Sequence, residues 1–206
     1  MKNMSATCAA GFIGMIGGLL FSFYFVGINL LLELFNSPFG TQTVSAIKMI
    51  LVSVVCICLA ISLIGLLTSG IGTGWEKGSG IIGTLISILG LTSYAVGSIY
   101  IYTFPEKALR QFFTPGGSIL ITLGMLFLAM GVLKAGRWRG WRAFTPLFVG
   151  LYFPLQFPFQ FIFFLSKSRG PSPVLLGIWG IFWVVLGYAV WSNAREISMT
   201  DTAAKA

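Results

Sequence analysis

Long apolar runs alternate with short polar segments along the whole chain. A helix needs roughly 20 apolar residues to cross the hydrocarbon of a bilayer. Runs of about that length cover residues 10–33, 44–68, 80–103, 116–134, 143–165 and 173–192. The segments between them are too short for a soluble domain. The pattern therefore predicts an all-α fold, a polytopic transmembrane bundle of six spans, in one membrane domain (1–206) with a short tail at 193–206.

The first apolar run follows Lys2 and extends from about Ala9 past Leu32. A secretory signal peptide has an apolar region of only about 7–15 residues. This run is longer, so we expect it to be retained as the first transmembrane helix.

The connection between the third and fourth runs has the signals of a helix of its own. Thr103 is suited to an N-cap, Pro105 to the first turn, and Pro115 with Gly116 to a stop. Apolar residues recur between them at helical spacing, opposite Lys107 and Arg110. We expect a short interfacial helix between spans three and four, lying on the outer leaflet. A lid over an outward opening is the alternative.

Composition supports a membrane location. The chain is 56% hydrophobic and 9% charged, whereas soluble domains carry about 25% charged residues. The net charge of +8 comes from residues beside the apolar runs. Such residues orient helices and attract anionic lipid head groups. We therefore expect the lipid bilayer as the partner, and no nucleic acid.

Orientation follows from the distribution of Lys and Arg. With the N-terminus inside, eight of the 13 lie on the cytoplasmic side. These are Lys2, Lys77, Lys134, Arg137, Arg139, Arg142, Arg195 and Lys205. We expect a cell-membrane protein with both termini cytoplasmic, of a composition similar to that of small bacterial inner-membrane proteins. Contact with anionic lipid is expected at Lys134, Arg137, Arg139 and Arg142.

Small residues repeat every seven positions in five of the runs. The stripes are Gly11 and Gly18; Ala46, Ser53 and Ala60; Gly83, Gly90 and Gly97; Gly117, Gly124 and Gly131; and Gly180 and Gly187. Small residues allow helix backbones to approach closely in lipid. We predict that spans three and four pair antiparallel along their glycines. A contact in a homo-oligomer, or with another membrane subunit, is the alternative use of such stripes.

The stretch YFPLQFPFQF, residues 152–161, places helix breakers and amides inside the fifth run. Pro154 and Pro158 lack the N–H of the helical ladder, so we predict a helix kink there. Gln156 and Gln160 are four residues apart and share a face, roughly opposite the prolines. Unsatisfied polar groups are costly in lipid, so these amides should face neighbouring helices, water or a ligand.

Other polar residues belong to the same outer half of the bundle. We predict an outward-opening polar pocket lined by Asn29, Glu33, Lys48, Tyr94, Ser98, Gln156 and Gln160. Glu33 and Lys48 could pair there. In the alternative, the amides only make interhelical hydrogen bonds and Glu33 is a solvated helix end. Trp179 and Trp183, with phenylalanines of span five, either form the wall of a site for an apolar tail, or face lipid or pack in the core.

The missing residue types exclude several kinds of chemistry. The chain has no histidine, and no aspartate precedes Asp201. These absences exclude histidine-ligated haem, histidine-based metal sites and a paired-aspartate protease. Cys56 and Cys58 point to different sides of a helix. We expect no enzyme activity, no cofactor and no metal site.

Two functions remain as hypotheses. The first is binding or transport of a small amphipathic or lipid-like molecule through the pocket beside the proline-containing fifth helix. The second is a non-catalytic membrane subunit or scaffold, which acts through helix packing and the basic cytoplasmic loop.

Overall fold

The computed structural model describes residues 2–28, 30, 41–70, 74–103, 107–163 and 172–203. Six helices account for nearly all of these residues. They are α1 (Lys2–Ser22), α2 (Thr41–Gly70), α3 (Trp75–Thr103), α4 (Lys107–Ala135), α5 (Thr145–Phe163) and α6 (Pro173–Ala203). A π-helical turn, Phe23–Gly27, continues α1, and a 3-10 turn, Gly140–Phe144, leads into α5.

Each of the six helices is long and apolar enough to cross a membrane. The candidate spans are Ser5–Gly27, Ala46–Thr68, Trp75–Tyr100, Phe112–Ala135, Gly140–Phe163 and Pro173–Ile197. Their side chains on the outer surface are mostly large and apolar, as lipid contact requires. The all-α bundle of six spans predicted from the apolar runs is confirmed.

The helices form a closed ring in chain order. Each helix packs against the next one along the chain, and α1 packs against α6 to complete the ring. Consecutive helices are antiparallel because the chain crosses from one end to the other each time. The starts of α3 and α5 and the ends of α2, α4 and α6 therefore lie at one end, here called the basic end because the loop 136–139 is located there.

Two antiparallel pairs, α3–α4 and α1–α6, are in backbone contact along their glycines. A Cβ added to Gly90 would lie 2.7 Å from Ile121 N and 2.8 Å from Gly117 O. A Cβ on Gly187 would lie 2.5 Å from Met15 N. The predicted pairing of spans three and four is confirmed, and these stripes are occupied within the chain. On α2, by contrast, Ala46 is exposed, and the contact with α1 includes Leu59, Ser62 and Gly65.

Gly116 and Gly117 provide a matched test of this packing. A Cβ on Gly117 would lie 2.7 Å from Gly90 O and 2.8 Å from Tyr94 N, whereas one on Gly116 would meet no atom within 4 Å. We expect Gly117→Ala to lower the free energy of unfolding by about 1–3 kcal/mol, since the backbones must move apart. Gly116→Ala should be neutral or slightly stabilising. Apparent melting temperatures in detergent check this; equal values would refute close backbone contact.

The predicted stop at Pro115 and Gly116 is wrong. Helix α4 runs without a break from Lys107 to Ala135, with Pro115 inside it. The predicted interfacial segment is thus helical from Lys107 onward, but it is the first part of α4 rather than a separate helix. Contacts with α3 hold the helix across the proline: Ser93 Oγ donates to Phe113 O at 3.1 Å, and Gly97 packs against Phe113 and Thr114. A proline removes only one ladder bond, which such packing offsets.

Candidate functional site

The two glutamines of α5 face the interior. Gln156 and Gln160 are 4% and 5% exposed, whereas Pro154 and Pro158 are exposed on the opposite side. The shared face predicted from their spacing is therefore confirmed. Helix α5 is continuous through both prolines. The kink at Pro154 and Pro158 stays a prediction.

Gln160 joins the end of α5 to the start of α6. Ser172 N–H donates to Gln160 Oε1 at 2.8 Å, and Gln160 Nε2 lies 3.5 Å from Ser172 O. Ser172 precedes the first residue of α6, Pro173, and its carbonyl accepts the helical bond from Leu176 N–H. The side chain of Gln160 therefore satisfies backbone groups at a helix terminus. The amide of Gln160 is thus engaged in a structural contact.

Gln156 is different because its amide has no hydrogen-bond partner among the described residues. Both Nε2 and Oε1 are buried, and neither has a hydrogen bond within the described part of the chain. A buried amide without a partner costs about 1–3 kcal/mol. Native proteins rarely retain such a group without a use for it. The amide can offer two donors and one acceptor to a molecule that reaches it.

Aromatic side chains from four helices pack against one another inside the bundle. They are here called the aromatic floor: Phe21, Tyr94, Phe153 and Trp179. The ring centroid of Phe21 lies 6.2 Å from that of Tyr94, with the rings tilted, and 5.7 Å from that of Trp179, with the rings edge to face. The centroids of Phe153 and Trp179 are 5.6 Å apart. Helices α1, α3, α5 and α6 thus meet there. Gln156 follows Phe153 by about one turn on the same side of α5, farther from the basic end.

Two hydrogen bonds between α5 and α6 fix the geometry of this region. Trp179 Nε1 donates to Val149 O at 3.0 Å, and Tyr152 Oη donates to Leu175 O at 2.8 Å. The apolar pattern of the sequence predicts neither bond, because it concerns only the apolar surface of Trp179 and its neighbours. The available signal was chemical: buried Trp and Tyr usually find a partner for their polar atom. Trp179 and Trp183 are each 1% exposed, as the core-packing alternative expected.

The remaining predicted pocket residues have mixed positions. Tyr94 and Ser98 are buried on α3, one turn apart, and Lys48 is half-buried near the start of α2. Tyr94 belongs to the aromatic floor. Asn29 and Glu33 lie outside the described residues, so the predicted Glu33–Lys48 pair does too. The structure therefore brings Tyr94 and Gln156 to the interior of one half of the bundle. Gln160 lies one helical turn farther from the basic end and bonds to Ser172.

Basic residues at the other end fall into two classes. Lys134 Nζ lies 5.0 Å from the ring centroid of Trp75, and Arg142 Nη1 lies 2.7 Å from Glu196 Oε1. Arg137 and Arg139 are exposed on either side of Trp138, which is 3% exposed. Arg142 is thus neutralised by an ion pair, while the loop presents the other two arginines outward.

The described residues contain no group of three or more His, Cys, Asp or Glu side chains that could hold a metal ion. Cys8, Cys56 and Cys58 are free thiols. No protein-family model, no curated protein and no solved structure matches this chain.

Proposed function

We propose that this multipass membrane protein binds a small, neutral amphipathic molecule at Gln156, as a non-catalytic carrier or transporter of lipid-like compounds. The observation that carries the proposal is the amide of Gln156, which is 4% exposed and has no hydrogen-bond partner in the part of the chain that the structure describes. A bound hydroxyl, carbonyl or amide group would satisfy it. Because the ligand would remove the cost of the unsatisfied amide, the ligand-bound protein would be more stable than the ligand-free protein.

The surroundings of the amide favour a particular class of molecule. The aromatic floor places flat apolar side chains about one turn away from Gln156 along α5. Such surfaces suit an acyl chain or a ring system, and sites of this type place few polar groups among many apolar ones. A neutral head group is favoured because burial of an unpaired charge is far more costly than burial of an amide or hydroxyl.

Mass spectrometry of molecules that co-purify with the protein tests the proposal. We expect the wild type in mild detergent to retain a small amphipathic molecule, and Gln156→Leu to lose it. Phe157→Leu is the matched control, because this neighbouring side chain is 50% exposed on the outer surface; it should retain the molecule. Equal retention by the wild type and Gln156→Leu, or retention by neither, would contradict binding at this residue.

A structural role as a membrane subunit or scaffold is the second candidate. It is favoured by the close packing of helices along their glycines and by the packing of buried aromatic side chains between helices. In that case Gln156→Leu leaves the behaviour of the protein unchanged. Substitution of Arg137 and Arg139 would instead release a partner subunit. The amount of partner that co-purifies with this variant and with Gln156→Leu distinguishes the two candidates.

A further inference from the structure

The loop between α4 and α5 is held in one conformation by anchors on both sides. Gly136 and Gly140 have φ angles of 61° and 62°, in the left-handed region that favours glycine. Between them Trp138 is inserted into the protein and is 3% exposed. After the loop, Trp141 stacks on Tyr188 with centroids 6.2 Å apart.

This conformation turns both loop arginines outward. Burial alternates along the segment: Arg137 is exposed, Trp138 is buried and Arg139 is exposed. Arg139 itself has an extended backbone, with φ −96° and ψ 144°. Arg142, in contrast, is engaged by the carboxylate of Glu196 in an ion pair. Two exposed arginines, separated by one buried residue, therefore remain available in this loop.

The length of the loop sets the depth of these arginines in the membrane. The flanking spans end at Ala135 and begin at Gly140, so only residues 136–139 lie between them. Four extended residues span at most about 14 Å, so a loop that leaves the bundle and returns to it reaches about 7 Å from its ends. The polar layer on each side of the hydrocarbon is about 5–7 Å thick. With the spans ending at the hydrocarbon boundary, we expect both guanidinium groups to lie within the layer of lipid head groups.

The aromatic side chains around the loop agree with this depth. Trp75 and Trp141 are 63% and 50% exposed at the same end of the bundle. Exposed tryptophans are favoured at the boundary between hydrocarbon and water. Lys134, at the end of α4, extends over the ring of Trp75 and adds a further positive charge nearby.

The geometry points to a binding site for the phosphate of an anionic phospholipid, formed by Arg137 and Arg139 with Trp138 as the anchor that presents them. Guanidinium groups bind phosphate oxygens through paired N–H donors. The positive charge of the two arginines is complementary to a lipid with a net negative head group. A zwitterionic lipid carries its own cation, which opposes such contact. This site is separate from Gln156 and does not depend on its proposed role.

Lipid titration of the delipidated, full-length protein tests the site, with bound lipid counted by native mass spectrometry. Phosphatidylglycerol and phosphatidylcholine with identical acyl chains differ only in the head group. We expect the wild type to prefer phosphatidylglycerol. Arg137→Gln/Arg139→Gln should weaken its binding by about fivefold per arginine, equivalent to about 1 kcal/mol each. Equal binding of the two lipids by the wild type would overturn the proposal.

Three controls separate this site from general charge and folding effects. Lys77→Gln removes one exposed charge at the same end and should keep the preference. Arg137→Lys/Arg139→Lys keeps the charge and should retain most of it, while Gln156→Leu should retain all of it. The assignment would be overturned if Lys77→Gln lost as much of the preference for phosphatidylglycerol per removed charge as the arginine variant. It would also be overturned if an equal concentration of inorganic phosphate displaced the lipid.

Discussion

Gln156→Leu is expected to raise the apparent melting temperature of the ligand-free protein while it abolishes binding. The substitution removes two buried polar atoms that have no partner in the described residues and keeps a side chain of similar size. Relief of that cost amounts to about 1–3 kcal/mol. For a chain of this length each kcal/mol corresponds to about 2–4 °C. Thermal unfolding of the delipidated protein in detergent measures the shift.

Gln160→Leu is the matched comparison and should have the opposite sign. Its amide accepts a hydrogen bond from Ser172 N–H at 2.8 Å, at the start of α6. Loss of a helix-terminal partner costs about 0.5–2 kcal/mol. Two identical substitutions, four residues apart on one face, should therefore move the melting temperature in opposite directions. A lower melting temperature for Gln156→Leu would show that its amide has a structural partner, and the ligand proposal would fall.

Trp179→Ala is expected to cause the largest loss of stability, about 3–5 kcal/mol. The side chain is 1% exposed, packs against Phe21 and Phe153, and donates a hydrogen bond to Val149 O. Its removal would leave a cavity where three helices meet. Trp179→Phe keeps most of the packing and loses the bond, so a smaller loss of about 1 kcal/mol is expected.

Trp75→Ala is the control for Trp179→Ala. Trp75 is 63% exposed and contacts Lys134 through its ring face. A cation–π contact at an exposed site contributes only about 0.5–1 kcal/mol. The order of apparent melting temperatures should therefore be wild type, then Trp75→Ala and Trp179→Phe close together, then Trp179→Ala well below. A Trp179→Ala protein as stable as Trp75→Ala would contradict the packing of the aromatic floor.

The position of Gln156 was predictable from the sequence, but its state was not. A four-residue spacing in an apolar helix is enough to place Gln156 and Gln160 on one buried face. Spacing cannot distinguish them further, because their difference depends on another helix. Gln160 meets Ser172 N–H at the start of α6, while no described residue reaches the amide of Gln156.

Pro115 shows the same limit at a helix boundary. Local chemistry favours a stop at Pro115 and Gly116, since a proline lacks the ladder N–H. The contact of Gly97 with Phe113 and Thr114 keeps the helix intact across it. Packing between α3 and α4 therefore outweighed a local preference, as happens where a segment is held on both sides of a breaker.

The sequence by itself determined the number of spans, the close pairing of spans three and four, and the burial of the α5 glutamines. These features follow from length, period and the exclusion of polar groups by lipid, all of which act locally along one helix. Only the tertiary structure decided the pairing of α1 with α6, the aromatic floor and the hydrogen bond of Gln160 with Ser172. These depend on contacts between residues far apart in the chain, such as Gly18 with Gly180 and Phe21 with Trp179. Apolar periodicity marks which face of a helix is buried, but several helices could cover that face equally well until all six are packed.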